Sequence, residues 1–307
     1  MSKLIHLPNT DLEVSSVCLG GNVFGWSANR EQSFEVLDAF VAAGGNFIDT
    51  ADVYSEWVDG HVGGESETIL GEWMRARGNR AEVIIATKVA KLSTRPGLSR
   101  ENIFAAVDDS LRRLQTDYID LYYAHEDDQT VSLEETLSAF DELVKAGKVR
   151  HLGASNYEGA RLREAKSVSE TNHLAEYVVL QNRYNLLDRE PFESDSAPAL
   201  AELGISAVPF FGLAIGFLTG KYQPGVAVDS VRADGVSQYF TDHGWATLAR
   251  VTELANQLGV SNSAIALAWL RAQSTVAVPI ASARTVDQVA ALMQQVELTA
   301  EQVNYLE

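Results

Sequence analysis

Residues 46–54 read NFIDTADVY, and the apolar stretch Phe47–Thr50 within them predicts a short strand. Similar short runs, rich in β-branched residues, recur along the chain. The other predicted strands are Val17–Leu19, Val83–Thr87, Ile119–Tyr123, Val149–Ala154, Tyr177–Gln181, Ile205–Val208 and Val276–Ile280. Because their apolar character is nearly continuous, these strands are expected to be buried on both faces, as in a parallel sheet.

Amphipathic helices are predicted between these strands. Apolar residues recur every three or four positions, for example at Ile103, Val107 and Leu111, which places them on one helix face. Thr285 and Gln288 have the spacing of a capping box at a helix start. Eight strands that alternate with helices predict a (β/α)8 barrel, the TIM-barrel form of the α/β class.

Two segments lie outside this repeat. Lys3–Leu7 and Leu12–Val14, joined by a turn at Pro8-Asn9, predict a short N-terminal β-hairpin. An extended loop, roughly residues 212–244, follows strand seven and precedes two further helices. No linker or low-complexity stretch divides the chain, so residues 1–307 are expected to form a single barrel domain.

An open, doubly wound sheet is the rival fold. Its dinucleotide-binding form carries the pattern G-x-G-x-x-G directly after the first strand. Residues 20–25, which follow the first predicted strand, read GGNVFG and lack that spacing. The sequence therefore favours the barrel.

The composition restricts the partners and the compartment. The formal net charge is −18, so the basic face that nucleic acid or an anionic membrane requires is not expected. The single cysteine, Cys18, allows no intramolecular disulfide and fits a reducing compartment. Residues 1–10 lack the apolar core of a signal peptide, and the longest apolar run, residues 207–218, is shorter than the ~20 residues of a membrane span. A cytoplasmic location is expected.

Side chains that can donate or accept protons lie at or just after the carboxyl ends of three neighbouring predicted strands. Asp49 ends strand two and Tyr54 lies in the next loop, while Lys88 ends strand three and His125 follows strand four. The active site of a barrel lies at these carboxyl ends, so the four side chains are expected to converge.

These four residue types suit the reduction of a carbonyl group. Tyrosine, with a pKa of about 10, is a weak acid at neutral pH, and a lysine ammonium that a carboxylate keeps charged is expected to lower that pKa. We therefore expect Tyr54 to be the general acid, Lys88 and Asp49 to tune it, and His125 to orient the carbonyl.

The chain resembles the aldo-keto reductase superfamily over nearly its whole length. The stretches that carry the resemblance are NFIDTADVY (46–54), IIATKV (84–89), IDLYYAHEDD (119–128), VRHLGASN (149–156), VVLQNRYNLL (178–187), FLTGKY (217–222) and VPIASAR (278–284). It looks closest to the bacterial branch related to the potassium-channel β subunits. The resemblance implies a nicotinamide-dependent oxidoreductase whose catalytic tetrad is Asp49, Tyr54, Lys88 and His125.

The resemblance also implies a set of cofactor contacts. Ser155 and Asn156, helped by Gln181, would hydrogen-bond the carboxamide, and Phe210 would stack on the nicotinamide ring. The backbone of residues 213–218 would wrap the pyrophosphate. The full set of expected cofactor-binding residues is Gly21, Asn22, Asp49, Ser155, Asn156, Gln181, Phe210, Phe211, Gly212, Leu213, Gly216, Leu218, Lys221, Ser282, Arg284 and Gln288.

The residues expected at the adenosine end of the cofactor favour a cofactor that carries a 2′-phosphate. Arg284, with Ser282 and Gln288, would meet the adenosine, and a guanidinium suits a 2′-phosphate. A helix that begins at Thr285 would add a favourable N-terminus. NADP(H) is therefore preferred, with NAD(H) as the alternative.

The substrate is expected to be a small carbonyl compound or alcohol. Phe24, Trp26, Trp57 and Tyr123 are predicted to line an apolar pocket around the reacting group. No metal site is expected, because no second histidine lies at ligand spacing from His125. The sequence gives no indication of the oligomeric state.

Three stretches depart from the family's pattern. Residues 210–213 read FFGL where members often read YSPL, and Ala291 and Leu292 replace a Glu-Asn pair that contacts adenine. Three acids, at residues 126–128, follow the histidine. They either disfavour anionic substrates or form a solvated loop.

Two other functions remain compatible with the sequence. Lys88 could form a Schiff base in a lyase or aldolase, which requires a neutral amine that burial favours and Asp49 opposes. That reading leaves GASN at residues 153–156 unexplained. Alternatively, a barrel that resembles channel β subunits could act as a cofactor-sensing regulatory partner.

Overall fold

The computed structural model describes residues 4–226 and 233–307. The strands in these ranges are β1 (Ile5–His6), β2 (Glu13–Val14), β3 (Cys18–Gly20), β4 (Phe47–Asp49), β5 (Ile84–Val89), β6 (Ile119–Ala124), β7 (Val149–Ser155), β8 (Tyr177–Gln181), β9 (Ser206–Ala207) and β10 (Ile280–Ala281). The α-helices are α1 (Arg30–Ala42), α2 (Glu65–Arg77), α3 (Arg100–Leu114), α4 (Leu133–Lys145), α5 (Gly159–Asn172), α6 (Ala197–Leu203), α7 (Ala233–Val236), α8 (Asp242–Leu258), α9 (Asn262–Arg271), α10 (Val286–Leu292) and α11 (Ala300–Leu306).

Strands β3 to β10 form one parallel sheet that closes on itself. Neighbours along the chain are neighbours in the sheet, and β10 pairs with β3. On the other side, Ala207 N donates to Thr275 O at 2.7 Å and Ala277 N donates to Ala207 O at 2.9 Å. These bonds join β9 to the segment that leads into β10, so the predicted (β/α)8 barrel is confirmed.

Alternate residues of each strand face two different cores. Phe47 and Leu121 belong to the cluster inside the barrel, whereas their neighbours Ile48 and Tyr122 pack with the surrounding helices. This division follows from the two-residue period of a strand. Burial on both faces explains why the strand sequences are almost continuously apolar.

The predicted N-terminal hairpin is also confirmed. Strands β1 and β2 pair antiparallel, with Ile5 opposite Val14. Leu7, Leu12 and Val14 are buried and belong to the cluster inside the barrel, so the hairpin closes its lower end. Lys3, where the hairpin was predicted to begin, lies outside the described residues.

The last two barrel strands are shorter than predicted. The predicted Ile205–Val208 is reduced to β9, and instead of Val276–Ile280 the structure has β10, with Val276 joined to Ala207 by an isolated bridge. Pro209 directly follows the first predicted segment and Pro279 lies within the second, and the missing N–H of each proline removes one bond from the ladder.

The extended loop after β9 leads into α8 and α9, as predicted. Residues 227–232 of this loop lie outside the described residues. The predicted capping box before α10 is half formed: Thr285 Oγ1 accepts from Gln288 N at 3.3 Å, but Gln288 Oε1 accepts from Arg284 N at 2.8 Å. Within the described chain, no helix combines the length and apolarity needed to cross a membrane.

The strand register aligns the polar strand ends. Asp49 pairs with Gly20 and Ala86, Lys88 pairs with Tyr123, and Ser155 pairs with Gln181. Because the sheet is closed, these ends form one rim, which places their side chains around a common opening.

Candidate active site

A cleft of about 600 Å³ opens at this rim. It extends from Tyr54 and Trp57 at one end to the loop before α10 at the other. The predicted site residues that line it are Asn22, Asp49, Tyr54, Trp57, His125, Ser155, Asn156, Gln181, Phe210, Phe211, Gly212, Leu213, Gly216, Lys221, Ser282, Arg284 and Gln288.

A buried lysine lies at the centre of the catalytic end. Lys88 is 0% exposed, and its Nζ donates to Asp49 Oδ2 and Thr50 O, both at 2.7 Å, and to Tyr54 Oη at 2.9 Å. Tyr54 Oη in turn donates to Asp49 Oδ2 at 3.1 Å. The three N–H donors of the ammonium thus each have an acceptor, which compensates for its burial.

The expected lowering of the Tyr54 pKa is absent from this resting arrangement. Burial first, and then the charge and hydrogen bond of Asp49, raise the pKa of Tyr54 well above its ordinary value. The carboxylate accepts the phenolic proton and opposes a second negative charge beside it. Tyr54 is therefore protonated at neutral pH, and Lys88 faces its oxygen rather than its proton.

His125 is held as a neutral imidazole. Burial, and after it the positive charges of Lys88 and Lys91, lower the pKa of His125 well below its ordinary value. Its ring lies 6.1 Å from that of Tyr54, and its backbone is fixed because His125 N donates to Val89 O at 2.9 Å. Nδ1 is buried and has no hydrogen-bond partner within the described residues.

Amide groups lie beside these catalytic side chains. Gln181 Nε2 donates to Asp49 Oδ1 at 2.9 Å. Asn156, at φ 59°, donates through Nδ2 to His125 O at 2.8 Å and to Ser155 Oγ at 3.1 Å. Asparagine tolerates this left-handed conformation, which aims its side chain at the rim.

Aromatic rings and a tight loop form the next part of the wall. Phe210 and Phe211 lie with ring centroids 5.1 Å apart. Phe211, Ala214 and Ile215 all have positive φ, at 57°, 48° and 58°, before Gly216 at 95°. Non-glycine residues in this region are strained, so the surrounding structure must hold the loop in place.

The far end of the cleft is polar and carries basic side chains. Lys221 and Arg284 line it, and Ser282 Oγ donates to Asn22 Oδ1 at 2.6 Å. Amides at one end, flat rings in the middle and cations at the other end match the carboxamide, ring and phosphates of a nicotinamide dinucleotide. The donor set therefore fits such a cofactor.

Comparison with known proteins agrees with this geometry. The model of the aldo/keto reductase family matches residues 16–307. The chain belongs to the aldo/keto reductase family. It is thus an oxidoreductase of a family that uses nicotinamide cofactors and acts on small carbonyl substrates.

Relatives match this aldo/keto reductase over almost its full length. The uncharacterized oxidoreductase YrpG of Bacillus subtilis is 34% identical, covering 96% of this chain and 91% of its own. Protein tas of Escherichia coli is 33% identical, covering 95% and 92%. An aryl-alcohol dehydrogenase (NADP+) of Phanerodontia chrysosporium is 30% identical, covering 97% and 83%.

Several predicted site residues of the reductase lie behind the cleft wall. Phe24, Tyr123 and Leu218 are 0% exposed, pack in the core and do not line the cleft. A Cβ on Gly153 would lie 2.3 Å from the Tyr123 ring, which explains the glycine in GASN. Phe24 and Tyr123 were predicted to line the substrate pocket because sequence alone does not distinguish an inward ring from one facing a cleft.

Two further predicted residues, Gly21 and Trp26, do not line the cleft but contact residues that do. Gly21 N donates to Asp49 O at 2.7 Å, and a Cβ on Gly21 would lie 2.8 Å from that oxygen. Gly21 therefore permits the close approach of the strand that carries Asp49. Trp26 lies edge-on to Trp57, with ring centroids 5.6 Å apart, and supports the exposed ring.

The reductase cleft also has walls that the sequence reasoning missed. The missed lining residues are Gly20, Val23, Lys91, Thr219, Ser261, Ser263, Ile280, Ala281 and Asp287. The two departures Ala291 and Leu292 line it as well, and so does Ile215 of the predicted loop 213–218. Lys91 follows β5 by two residues, so its place at a strand end was the available signal. Ser261 and Ser263, at the start of α9, gave no such signal.

The three acids after His125 have different partners. Asp127 accepts from Arg161 Nε at 2.9 Å, and Asp128 Oδ2 accepts from Leu98 N at 2.8 Å, so these two fix the loop. Glu126 lies 3.7 Å from Lys91 Nζ and remains accessible beside the site. The segment is therefore neither fully solvated nor wholly directed at the substrate.

Proposed function

We propose that this aldo/keto reductase catalyses NADP(H)-dependent reduction of aldehydes or ketones to alcohols, or the reverse reaction, as a single barrel domain in the cytoplasm. The observation that carries the proposal is the Tyr54 hydroxyl at the cleft, 2.9 Å from Lys88 Nζ and 3.1 Å from Asp49 Oδ2. A proton donor backed by a buried ammonium suits a carbonyl oxygen that becomes an alkoxide.

The proton transfer follows from these contacts. A reduced nicotinamide held in the cleft would supply the hydride for the carbonyl carbon. Tyr54 turns its hydroxyl proton from Asp49 to the carbonyl oxygen and gives it up as negative charge develops there. Lys88 then stabilises the phenolate, and Asp49 keeps Lys88 charged and in place. The neutral His125 orients the carbonyl.

The cofactor would be held along the rest of the cleft. Ser155, Asn156 and Gln181 offer hydrogen bonds to the carboxamide, and Phe210 offers a ring face to the nicotinamide. Preference for NADP(H) is supported by Lys221 and Arg284 on the cleft wall and by the NADP+-dependent relative. A guanidinium and an ammonium both favour a 2′-phosphate.

Aromatic aldehydes are the proposed first substrates. Trp57 is 49% exposed at the mouth of the cleft, and its ring lies 6.1 Å from that of Tyr54. A flat ring can pack against this surface at a modest cost in conformational entropy. A relative named as an aryl-alcohol dehydrogenase supports the same class.

A Schiff-base mechanism fits the geometry less well. Burial lowers the pKa of Lys88, while the charge and hydrogen bond of Asp49 act in the opposite direction. Its Nζ has no exposed surface and donates to Asp49, Thr50 and Tyr54. A carbonyl substrate would have to displace these partners before reaching Nζ. Borohydride trapping with an aldehyde is therefore expected to leave Lys88 unmodified.

The test is a fluorescence titration with NADPH and with NADH, followed by turnover of benzaldehyde. Saturable binding that is tighter for NADPH, together with oxidation of NADPH by the aldehyde, is expected. Absence of binding to both cofactors would refute the proposal. Tight binding without turnover over a broad panel of carbonyl compounds would favour the regulatory role instead.

A further inference from the structure

A second depression, of about 360 Å³, opens beside the catalytic end of the cleft. Lys91 and Asn156 line both spaces, so they form the shared wall. The remaining walls come from the loops after β6 and β7 and from the start of α5, which all lie at the active rim. A molecule bound at Tyr54 can therefore extend into this depression without crossing the barrel.

Its walls are polar throughout. The lining residues other than Lys91 and Asn156 are Glu126, Asp127, Gln129, Glu158 and Arg161. Asp127 and Arg161 are bound to each other at 2.9 Å, and their side chains are only 11% and 19% exposed, so they form the floor. Glu158 and Gln129 are exposed at the rim.

The groups above the floor retain hydrogen-bonding capacity. Lys91 Nζ and Glu126 Oε2 are 3.7 Å apart, which exceeds hydrogen-bond distance, and no other described residue bonds to either side chain. Glu158 precedes α5, but its side chain makes no capping hydrogen bond. An ammonium donor and two carboxylate acceptors thus face one small space.

The charges of the lining restrict what can bind there. Lys91 and Arg161 are opposed by Glu126, Asp127 and Glu158, so the lining carries one excess negative charge. This excess disfavours an anion, and Lys91 disfavours a cation placed beside it. An apolar group would cover carboxylates without replacing their hydrogen bonds to water, which is costly.

An uncharged group that bears hydroxyls meets none of these penalties. Each hydroxyl can donate to a carboxylate and accept from the ammonium. We infer that the depression is a substrate subsite that binds the hydroxyl-bearing, uncharged end of the carbonyl compound, with Lys91 and Glu126 as its specificity-determining residues. This inference rests on the proposed function, because it assumes that the carbonyl lies at Tyr54.

The proximity of Lys91 to the reacting centre supports a substrate role. Lys91 lines the cleft together with Tyr54 and His125, and its positive charge also contributes to the lowered pKa of that imidazole. A hydroxylated substituent a few bonds from the carbonyl is thus within reach of Lys91 while the oxygen lies at Tyr54.

The test compares two aldehydes with matched ring electronics. They are 4-(1,2-dihydroxyethyl)benzaldehyde and 4-ethylbenzaldehyde, with 4-(carboxymethyl)benzaldehyde and a 4-(trimethylammoniomethyl) analogue as charged members. In the wild type, kcat/KM for the diol is expected to exceed that for the ethyl compound by roughly 25-fold, since two added hydrogen bonds of about 1 kcal/mol contribute about 5-fold each. Both charged compounds are expected to rank below the diol.

Two variants test whether the subsite causes the diol-to-ethyl ratio of kcat/KM. Glu126→Gln and Lys91→Met are each expected to reduce the diol-to-ethyl ratio by about 5-fold, because each removes one hydrogen bond to the substituent. Glu134→Gln removes the same charge from an exposed position at the start of α4, outside the depression, and is expected to leave the ratio unchanged.

The outcomes separate this inference from the proposed function. A ratio near one in the wild type, an unchanged ratio in both variants, or a preference for either charged compound would overturn the subsite while turnover persists. If no aldehyde is turned over, calorimetric binding of the two corresponding benzyl alcohols decides. Tighter binding of the diol that Glu126→Gln abolishes would retain the subsite without the reaction, and equal binding would overturn the subsite.

Discussion

At the scale of single residues, the Tyr54 hydroxyl makes two hydrogen bonds with opposite effects: the bond to Asp49 opposes loss of the proton, and the bond from Lys88 would stabilise the phenolate. Its proton is directed to Asp49, and its oxygen accepts from Lys88. Burial, followed by the charge and hydrogen bond of Asp49, raises its pKa, so the hydroxyl keeps its proton. In the proposed reaction this proton is available until a carbonyl oxygen replaces Asp49 as the acceptor. The proposed role of Tyr54 therefore depends on its hydroxyl rather than on its ring.

Replacing Tyr54 by phenylalanine tests this point. Tyr54→Phe is expected to lower kcat/KM for aldehyde reduction by ~100-fold or more, the usual range for a lost general acid, while the Kd of NADPH changes little. Tyr305→Phe, which removes an exposed hydroxyl bonded to Glu253, serves as the control. Activity within a few-fold of the wild type would exclude Tyr54 as the proton donor.

Asp52 is a second residue with an unusual environment. It is 1% exposed, and burial, followed by the charge of Glu67, raises its pKa from 3.8 to about 8, although Arg113 and Arg95 act in the opposite direction. Its Oδ1 has no hydrogen-bond partner within the described residues. The folded protein therefore keeps this proton to a higher pH than the unfolded chain does.

This shift predicts a pH-dependent loss of stability. Asp52 contributes its full stabilisation below about pH 4, and the contribution is lost as the pH rises through about 8. Asp52→Asn cannot ionise, so between pH 5 and 8 its free energy of unfolding is expected to fall less than that of the wild type, by ~1 kcal/mol or more. Urea denaturation at both pH values measures the difference, with Asp59→Asn on the same loop as the control. Parallel pH profiles would contradict the raised pKa.

At the scale of elements, a network of side chains holds the strained loop of residues 211–216. Arg183 lies 5.1 Å from the ring centroid of Phe211, donates to Tyr239 Oη at 2.6 Å and to Asp188 Oδ2 at 2.9 Å. Asn185 Nδ2 donates to Phe211 O at 3.0 Å. The loop after β8 thus fixes the backbone on which the proposed cofactor contacts depend.

Loss of this support is expected to weaken cofactor binding. Arg183→Ala should raise the Kd of NADPH by about 10-fold, because the loop then relaxes from its strained conformation before binding. Arg183→Lys keeps the charge but loses the planar stacking group and is expected to show an intermediate effect. Fluorescence titration measures both, with the surface variant Arg163→Ala as the control. An unchanged Kd in Arg183→Ala would show that the loop keeps its conformation without Arg183.

At the scale of the whole molecule, the two ends of the barrel have separate tasks. The cleft and its polar side chains occupy the carboxyl ends of the strands, whereas the hairpin fills the opposite end with Leu7, Leu12 and Val14. Stability at the lower end should therefore be separable from chemistry at the upper end.

The variant Leu12→Ala tests whether stability at the lower end can be separated from cofactor binding at the upper end. Leu12→Ala is expected to reduce the free energy of unfolding by about 2–4 kcal/mol, since the side chain is 1% exposed and leaves a cavity inside the barrel. The Kd of NADPH should stay the same at a temperature where the variant is folded. Leu4→Ala, on the same hairpin but 44% exposed, should cost far less. A weaker Kd in Leu12→Ala would show that the two ends are coupled.

Much of this architecture was predictable from local sequence patterns. Continuous apolar runs marked the barrel strands, and Asp49, Lys88 and His125 were recognisable because they follow such runs directly. The errors were at Pro209 and Pro279, where the apolar pattern continues but the hydrogen-bonding ladder does not. The roles of the predicted cofactor residues stay predictions until binding is measured.

By itself, the sequence determined the order of strands and helices, the closed parallel sheet and the rim on which the polar strand ends meet. These features depend on periodicity and strand ends, which are local along the chain. Only the tertiary structure decided that Tyr123 faces the core, that the pKa of Tyr54 is raised, and that Lys91 and Glu126 border a separate depression. Burial and electrostatic interactions are sums over groups that are far apart in sequence, so they exist only once the barrel has brought those groups together.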